Sequence, residues 1–510
     1  MSSMKRSYEK LLTPAGNYIA GTFSKPKDQA GVITIKSPAD FSDVLGAFTY
    51  CYQDVDTAVA SARDAFEGWR NSAQSTRTEY LVKYRDALKK IEPRLAEVIA
   101  REVGKPLWEA KGEVSTMINK VDVTINEGLP RVEAKAIVGI MPGTTGITQY
   151  RPHGVFLVLG PFNFPGHLAN GHIVPALLAG NTVIFKPSEK SPATGQLMAE
   201  AFHEAGLPRG VFNLVQGERE VGRRLTTHEG IDGILFTGSY EVGLKIKQDT
   251  LQQHWKLLAL EMGGKNASLV CEDAALDAAV YEILSSAFLT AGQRCTATSR
   301  VLVHRKLHAA FIERFHEKAK KFQIGHPLDN PFMGPLIDGA AVEKYIMFTG
   351  IAEREGCEII MRGKELQTDY NGHYVTPSLC LVKDTSLQAV KKSVYQQSEI
   401  FGPNVAIYSF DDLDEAVKLA NATQFGLAAS IFTARHDTFL RASRDIRAGL
   451  INWNRSTVGA SSRLPFGGIK RSGNHVPAAI AAIDSCVYPV ATLEVEAPTV
   501  PTQVLPGLGW

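Results

Sequence analysis

The sequence predicts an α/β protein built on parallel sheets, because short aliphatic runs alternate with helical patterns along most of its length. The first set of runs lies at 155–159, 182–185, 211–215 and 233–236. After about residue 262 the alternation restarts, with runs at 267–270, 301–303, 405–408 and 449–451. Strands buried on both faces have continuous apolar sequences, and parallel neighbours need crossover helices. We therefore expect two α/β units, with a boundary near Gly263 and Gly264.

The segments outside these runs have different patterns. Apolar residues at helical spacing over 54–70 and 78–102 predict amphipathic helices, which follow a short strand-like opening at 18–23. Two further segments, 133–150 and 485–495, alternate apolar and polar residues as strands outside either unit do. Exposed strands usually pair with a partner, so these two segments predict contacts between subunits.

Composition excludes several classes of function. Hydrophobic residues make up 44% of the 510 residues and charged ones 21%, as in ordinary globular proteins. The net charge is only +2 and no run of like charges occurs, so neither nucleic acid nor a membrane is an expected partner. The first residues lack the apolar segment of a signal peptide, and no stretch is long enough to span a membrane. A cytoplasmic enzyme acting on a small molecule is the resulting expectation.

The six cysteines argue against a metal centre. They never occur in a Cys-x-x-Cys spacing, so the sequence supports neither a zinc site nor a disulfide framework. We expect reduced thiols and no bound metal.

Two strand ends carry signals for a nucleotide. No Gly-x-Gly-x-x-Gly fingerprint and no P-loop is present. Gly238, Ser239 and Gly243 follow a buried strand and open a helix, where backbone N–H groups can hold phosphate, although Ser239 could equally be an ordinary helix cap. Lys186 and Glu189 end another strand and could bind a ligand or form a solvated pair. If a nucleotide binds, Glu189 would accept ribose hydroxyls and repel a 2′-phosphate, which favours NAD over NADP.

Three residues could carry catalysis. Cys295 lies in a polar loop of small residues, although a free cysteine is more often structural. Its neighbour Arg294 would favour the thiolate if its side chain turned inward. Glu261 lies at the end of a predicted strand, beside a glycine turn. It is a candidate general base, and the alternative is an ordinary exposed carboxylate. Asn163 sits in a loop fixed by prolines and aromatics, as an oxyanion donor or a turn residue.

These segments together resemble the aldehyde dehydrogenase superfamily from about residue 18 to 495. Seven motifs occur in the order of that family, namely GPFNFP, FKPSE, FTGS, LEMGGK, GQRCT, EIFGP and PFGG. By that resemblance Cys295 is the nucleophile and Glu261 the general base, while Asn163 and the Cys295 N–H form the oxyanion hole. The mechanism implied is a cysteine thiohemiacetal, hydride loss and hydrolysis of a thioester.

The resemblance also implies the fold and the cofactor. NAD is the expected cofactor, and the residues expected to bind it are Lys186, Ser188, Glu189, Gly238, Ser239, Gly243, Glu399 and Phe401. A Rossmann-type NAD-binding domain is expected over 1–132 and 151–261, and a catalytic α/β domain over 262–478. Oligomerisation strands and a C-terminal tail take up 133–150 and 479–510. The expected assembly is a homodimer or a homotetramer.

The substrate expectation rests on fewer residues. Further stretches, including Met-Ile-Asn-Lys from Met117 and Ser-Gly-Asn-His from Ser472, are similar to one branch of the superfamily, which oxidises a carboxylated semialdehyde of arginine catabolism. His167 and Asn170 predict a polar pocket, and Arg294 is the candidate cation for substrate carboxylates. A helix histidine and a structural salt bridge are the alternatives. An enzyme for another semialdehyde, such as succinic semialdehyde, and a non-catalytic nucleotide-binding protein also stay open.

Overall fold

A computed structural model describes residues 6–500 and 504–509 of the chain. The α-helices in this part of the chain are α1 (Gln53–Arg70), α2 (Gln74–Val103), α3 (Leu107–Val123), α4 (His167–Leu178), α5 (Pro192–Glu204), α6 (Arg219–Thr227), α7 (Tyr240–Asp249), α8 (Leu276–Phe288), α9 (Arg305–Ala319), α10 (Gly339–Arg354), α11 (Leu387–Lys392), α12 (Val394–Gln397), α13 (Leu413–Asn421) and α14 (His436–Asp445). The helices predicted over 54–70 and 78–102 are thus present as α1 and α2.

The strands begin with two hairpins and continue into the sheets. They are β1 (Asn17–Ile19), β2 (Thr22–Ser24), β3 (Gly31–Ser37), β4 (Asp40–Tyr50), β5 (Lys135–Met141), β6 (Thr144–Pro152), β7 (Val155–Leu159), β8 (Thr182–Lys186), β9 (Phe212–Leu214), β10 (Gly233–Thr237), β11 (Leu257–Glu261), β12 (Asn266–Val270), β13 (Thr298–His304), β14 (Glu358–Met361), β15 (Ser378–Leu381), β16 (Asn404–Phe410), β17 (Phe425–Gly426), β18 (Ala428–Phe432), β19 (Leu450–Trp453), β20 (Pro465–Phe466), β21 (Ile469–Lys470), β22 (Ala478–Ala479) and β23 (Val487–Glu494).

The first sheet has seven strands in the order β11-β10-β7-β8-β9-β1-β2. The first five strands of this order run parallel, whereas β1 pairs antiparallel with β9 and with β2. The predicted opening strand at 18–23 is therefore a tight hairpin on the edge of this sheet. The chain turns there through two residues with positive φ, Ala20 and Gly21.

The second sheet also has seven strands, in the order β14-β15-β16-β13-β12-β18-β19. All its pairs are parallel except β14 with β15. The sequence analysis did not predict β14, β15 or β18. The central strand β18 reads Ala-Ala-Ser-Ile-Phe, and its alanines and serine weaken the aliphatic signal even though every residue in it is buried.

The two outlying segments pair with each other. Strand β6 lies between β23 and β5 in a three-stranded antiparallel sheet, with Thr145 opposite Glu494 and Pro152 opposite Val487. Every residue of β5 is exposed, and Val138 is 84% accessible. No described helix is long and apolar enough to cross a lipid bilayer.

Each large sheet has its own hydrophobic core. One cluster of buried side chains packs α1–α5 against the first sheet, and another packs α8, α9 and α13 against the second. The chain passes between the sheets over four residues, because β11 ends at Glu261 and β12 begins at Asn266. This short connection fixes the carboxyl end of β11 against the second unit. The domain limits given above stay a prediction.

Candidate active site

The candidate site lies where the strand order of the first sheet reverses. The strands β8 and β9 follow β7 on one side, whereas β10 and β11 lie on its other side. The carboxyl ends of β7 and β10 therefore border a crevice, which is where open α/β sheets bind ligands. A cavity of about 1110 Å³ opens there, and its lining includes Cys295, Glu261 and Asn163.

Two groups of elements form the walls of this cavity. Residues of α6, α7 and 186–189 line one part, which we call the α7 side. Residues of α3, α4 and 459–462 line another part, which we call the α3 side. Three sequence-predicted catalytic residues and candidate residues for two different ligands thus share one continuous cavity.

Cys295 lies on a loop with an unusual backbone. Thr290, Ala291 and Gly292, just before it, have φ angles of 55°, 54° and 70°. Left-handed conformations are costly for residues other than glycine and persist only where the surroundings hold them. At the start of β12, the Asn266 side chain donates a hydrogen bond to the Cys295 carbonyl oxygen at 2.7 Å. The nucleophile candidate is therefore held rigidly by the second sheet.

Glu109 on α3 holds the other end of this loop. Its buried carboxylate accepts hydrogen bonds from the Thr290 N–H at 3.0 Å and the Thr290 hydroxyl at 2.6 Å. The Arg294 guanidinium also donates to it at 2.6 Å. Glu109 has no signal in the sequence, because the partners of its carboxylate lie 181 and 185 residues away along the chain. Within α3, Glu109 looks like any charged residue of an amphipathic helix.

The thiol of Cys295 is protonated in the free protein at neutral pH. Burial, together with the carboxyl groups of Glu399 and Glu261, raises its pKa to about 12. The Thr296 N–H and Arg294 act in the opposite direction but do not offset this. Arg294 thus favours the thiolate in the direction that the sequence predicts, but it is paired with Glu109 and its effect is smaller than that of burial. The thiol must lose its proton during the reaction.

Glu261 ends β11 and is buried, with 4% of its surface exposed. Neither carboxyl oxygen has a hydrogen-bond partner in the described part of the chain, and burial raises the pKa of Glu261 well above the ordinary value of 4.5. Gly467 packs against it so closely that a Cβ there would lie 2.7 Å from Oε1. A carboxyl group with a raised pKa beside a thiol has the properties of a tuned acid or base.

The Ser-Gly-Asn-His segment lies along the free edge of β11. The side-chain amide of Asn474 makes the two hydrogen bonds that a neighbouring strand would make with β11. It accepts from the Leu260 N–H at 2.7 Å and donates to the Leu258 carbonyl at 2.9 Å. Gly473 has a φ of 155°, and a Cβ there would meet the Leu260 carbonyl at 2.6 Å. This motif therefore has a physical role: it fixes the strand that carries Glu261.

Asn163 connects the first unit to the loop of the thiol. Its side chain is 5% exposed and donates to the Gln293 carbonyl oxygen at 2.9 Å, two residues before Cys295. An amide nitrogen has two hydrogens, so one remains for a ligand in the cavity. The side chain of Asn163 is thus held beside the cavity, where an oxyanion donor would have to lie.

The strand β8 brings Lys186 and Glu189 to the α7 side. The buried Lys186 ammonium donates to the Pro187 carbonyl at 2.9 Å and lies 3.9 Å from the exposed Glu189 carboxylate. Burial lowers the pKa of Lys186. Ser188 accepts from the Lys190 N–H at 3.2 Å and also lines the cavity. The three predicted residues of this turn therefore all line the α7 side of the cavity.

The turn after β10 contributes the N-terminus of α7. Ser239 caps this helix by accepting from the Val242 N–H at 3.3 Å, as the ordinary interpretation predicts, and it also lines the cavity with Gly238. Gly243 does not line the cavity, which corrects its predicted ligand role. A Cβ there would meet the Met262 sulfur at 2.5 Å, so Gly243 lets the helix pack closely.

Glu399 and Phe401 approach the thiol from the second unit. Glu399 accepts from the Gly264 N–H at 3.0 Å, and burial raises its pKa to about 7. Phe401 has a φ of 61° and lies edge-on to Phe162 with ring centres 5.9 Å apart. Both residues line the cavity, as the resemblance implies.

The predicted substrate residues on α4 have different outcomes. His167 lines the cavity, and burial lowers its pKa to about 4, so the imidazole is neutral at pH 7. Asn170 does not line the cavity, which corrects its predicted role. It is fully buried, where it accepts from the Tyr84 hydroxyl at 3.0 Å and donates to the Met117 carbonyl at 3.0 Å. Asn170 therefore joins α2, α3 and α4.

Comparison with known proteins identifies the class. Residues 25–489 match the aldehyde dehydrogenase family. The chain therefore belongs to the aldehyde dehydrogenase family.

Individual relatives cover nearly the whole chain. The chain is 41% identical over 447 residues to the N-succinylglutamate 5-semialdehyde dehydrogenase of Novosphingobium aromaticivorans, covering 87% of this chain and 93% of that protein. It is 38% identical to the Legionella pneumophila protein of the same name, covering 98% and 99%. Among solved structures, 1-pyrroline-5-carboxylate dehydrogenase from Thermus with bound NAD has a TM-score of 0.87 at 30% identity, covering 95% of this chain and 93% of that one.

Proposed function

We propose that the protein oxidises N-succinylglutamate 5-semialdehyde to N-succinylglutamate with NAD, as a step of arginine catabolism by the succinyltransferase route. The observation that carries the proposal is a single cavity, which contains the Cys295 thiol. Its α7 side has residues suited to a nucleotide, and its α3 side has a polar wall. The names of the two relatives described above support the substrate, and the NAD-bound Thermus structure supports the cofactor.

The residues around the α7 side fit a dinucleotide. Glu189 supplies an exposed carboxylate for ribose hydroxyls, beside the ammonium of Lys186. The N-terminus of α7 supplies free N–H groups and a positive dipole end for phosphate, and Gly238 leaves room for the backbone to approach it. Glu399 and Phe401 would flank the nicotinamide. When bound, NAD supplies a hydride acceptor.

In the proposed chemistry, the residues of this chain form and break the bonds to the substrate carbon. The Cys295 sulfur attacks the aldehyde carbon while the thiol proton passes to a water molecule, and the oxyanion that forms accepts hydrogen bonds from Asn163 and the Cys295 N–H. Loss of hydride converts the thiohemiacetal into a thioester. Ionised Glu261 then takes a proton from water, which attacks the thioester and releases the acid and the thiol.

The substrate assignment is tested by comparing aldehydes. We expect the highest kcat/KM with N-succinylglutamate 5-semialdehyde, and lower values with succinic semialdehyde and with hexanal, because the α3 side is lined by polar residues that include the ammonium of Lys120. The measurement is NADH formation by the purified protein under identical conditions. A preference for succinic semialdehyde would keep the dehydrogenase chemistry and replace the substrate. NAD binding without turnover of any of these aldehydes would favour a non-catalytic protein.

Replacing Glu189 with glutamine should change the choice of nucleotide. The substitution removes the charge that repels a 2′-phosphate and weakens binding to the ribose hydroxyls. We expect the ratio of kcat/KM for NAD to that for NADP to fall by about 10- to 100-fold, a change typical of losing one charged contact. Glu204→Gln is the matched control, since that exposed carboxylate lies at the end of α5 and pairs with Lys90. Equal ratios in the two variants would remove Glu189 from the ribose site.

We infer that the three-stranded sheet of β5, β6 and β23 joins subunits. Ile137, Val138 and Leu493 are all exposed on it, and an open apolar edge strand is a site for pairing. A homodimer or a homotetramer, located in the cytoplasm, stays the prediction.

A further inference from the structure

Lys120 is a buried lysine in the wall of the α3 side. Only 2% of its surface is exposed, although it lines the cavity. It lies on the face of α3 that also presents Glu109, Glu113 and Thr116 to the cavity, at intervals of three or four residues. Its ammonium donates to the Ala479 carbonyl oxygen at 2.5 Å. An ammonium has three donors, so two remain after this bond.

The other buried cations near this wall have carboxylate partners. Lys105 forms a fully buried pair with Glu113, and Arg294 pairs with Glu109 at 2.6 Å. Lys120 has no such partner among the described residues. Because removing a charge from water is costly unless it is paired, a buried ammonium with an open cavity beside it is suited to an anionic ligand.

The imidazoles near Lys120 add neutral polar atoms to the same wall. Burial lowers the pKa of both His167 and His172 to about 4, so neither is charged at pH 7. The Nδ1 atom of each is buried and has no hydrogen-bond partner among the residues that the structure describes. Both residues line the cavity. The wall thus carries one ammonium and two neutral imidazoles.

The cavity also has room beside this group. Gly171 lies on α4 between His167 and His172 and lines the cavity. A Cβ built on it would meet nothing within 4 Å. The same holds for Gly112 on α3. Glycines at these positions leave open volume where larger side chains would fill the α3 side.

We propose that Lys120 binds a carboxylate of the substrate and is a specificity-determining residue. This inference rests on the proposed function and differs from the expectation from sequence, which assigned that role to Arg294. The carboxylate oxygens accept the two free N–H donors of the ammonium, and the ligand charge replaces the missing partner. The matching ligand class is an aldehyde with a carboxylate at a distance from its reacting carbon.

The test compares substrates in Lys120→Met, which keeps the length and removes the charge. With N-succinylglutamate 5-semialdehyde we expect kcat/KM to fall by about 10- to 100-fold, mainly through KM, as for losing a charge-assisted hydrogen bond. With hexanal, which has no carboxylate, kcat/KM should change by less than about threefold, within the usual context dependence of a distant contact. Lys120→Arg should recover much of the lost activity. NAD affinity should be unchanged in both variants.

The N-acetyl analogue of the substrate shows which carboxylate is bound. A loss confined to the N-succinyl compound assigns Lys120 to the succinyl carboxylate, whereas an equal loss with both assigns it to the α-carboxylate. Equal losses with hexanal and the carboxylated aldehydes would overturn the inference, since they indicate a structural role. So would an unchanged preference in Lys120→Met. A wild-type enzyme that does not prefer carboxylated aldehydes would instead overturn the proposed function.

Discussion

Replacing Cys295 with alanine is expected to abolish aldehyde-dependent NADH formation. The substitution removes the atom that bonds to the substrate carbon, so no thiohemiacetal forms and hydride loss has no activated precursor. We expect kcat to fall by at least about 10⁴-fold, as when other covalent nucleophiles are removed. NAD binding should persist, because the proposed nucleotide residues lie at 186–189, 238–239 and 399–401, away from Cys295 in the sequence. The measurements are steady-state NADH formation and direct titration of NAD binding.

Cys271→Ala is the matched control for this variant. Cys271 follows β12 and is buried, and burial raises its pKa to about 12, as it does for Cys295. The two thiols are therefore chemically similar, and they differ in that only Cys295 lines the cavity. We expect activity near that of the wild type in the control. Residual activity near wild type in Cys295→Ala would remove the proposed mechanism.

The sequence predicted the fold well where a buried strand is a continuous run of apolar residues. The strands β7, β8 and β10 are continuous aliphatic runs because both faces of a parallel sheet are covered. The strand β18 carries no such run, since two alanines and a serine fill the space between neighbouring strands. The hairpin of β3 and β4 also escaped prediction, although β3 alternates buried and exposed residues along much of its length.

The sequence predicts which candidate catalytic residues share the cavity but not the contacts that support them. Cys295, Glu261 and Asn163 follow strands or helices, and parallel strands bring their ends to one edge. Asn170 has a polar side chain in the same region, yet Tyr84 and Met117 use its hydrogen bonds. Pairing and burial of this kind arise between distant segments. A sequence of residue types therefore cannot distinguish a cavity amide from a buried one.

Electrostatic roles depend on tertiary contacts in the same way. Arg294 is adjacent to the thiol in sequence, which made it the natural candidate for activating Cys295 or binding carboxylates. In the structure Glu109 compensates its charge, while Lys120, in a motif noted only for its resemblance, has no carboxylate partner within 6–500 and 504–509. Which cation is available to a ligand follows from the partners of each one, and those partners come from other helices.

Replacing Glu261 with glutamine is expected to stop the cycle after the hydride step. Glutamine keeps the size of the side chain but cannot take a proton from water, so the thioester on Cys295 should accumulate. We expect a rapid burst of about one NADH per active site, followed by a steady-state rate lowered by about 10²- to 10⁴-fold, as for losing a general base. The measurement is rapid-mixing absorbance of NADH. Hydroxylamine, which attacks thioesters directly, should restore much of the steady-state rate.

The pH profile provides an independent check of this role. Glu261 acts as a base only when ionised, and burial raises its pKa well above 4.5. When hydrolysis limits turnover, the wild-type rate should therefore rise with pH and reach its half-maximum well above pH 4.5. Glu261→Gln should lose this rising limb. If the variant instead shows no burst and an equally slow first turnover, Glu261 acts before hydride loss, by removing the thiol proton. An unchanged rate and an unchanged profile would place the base elsewhere.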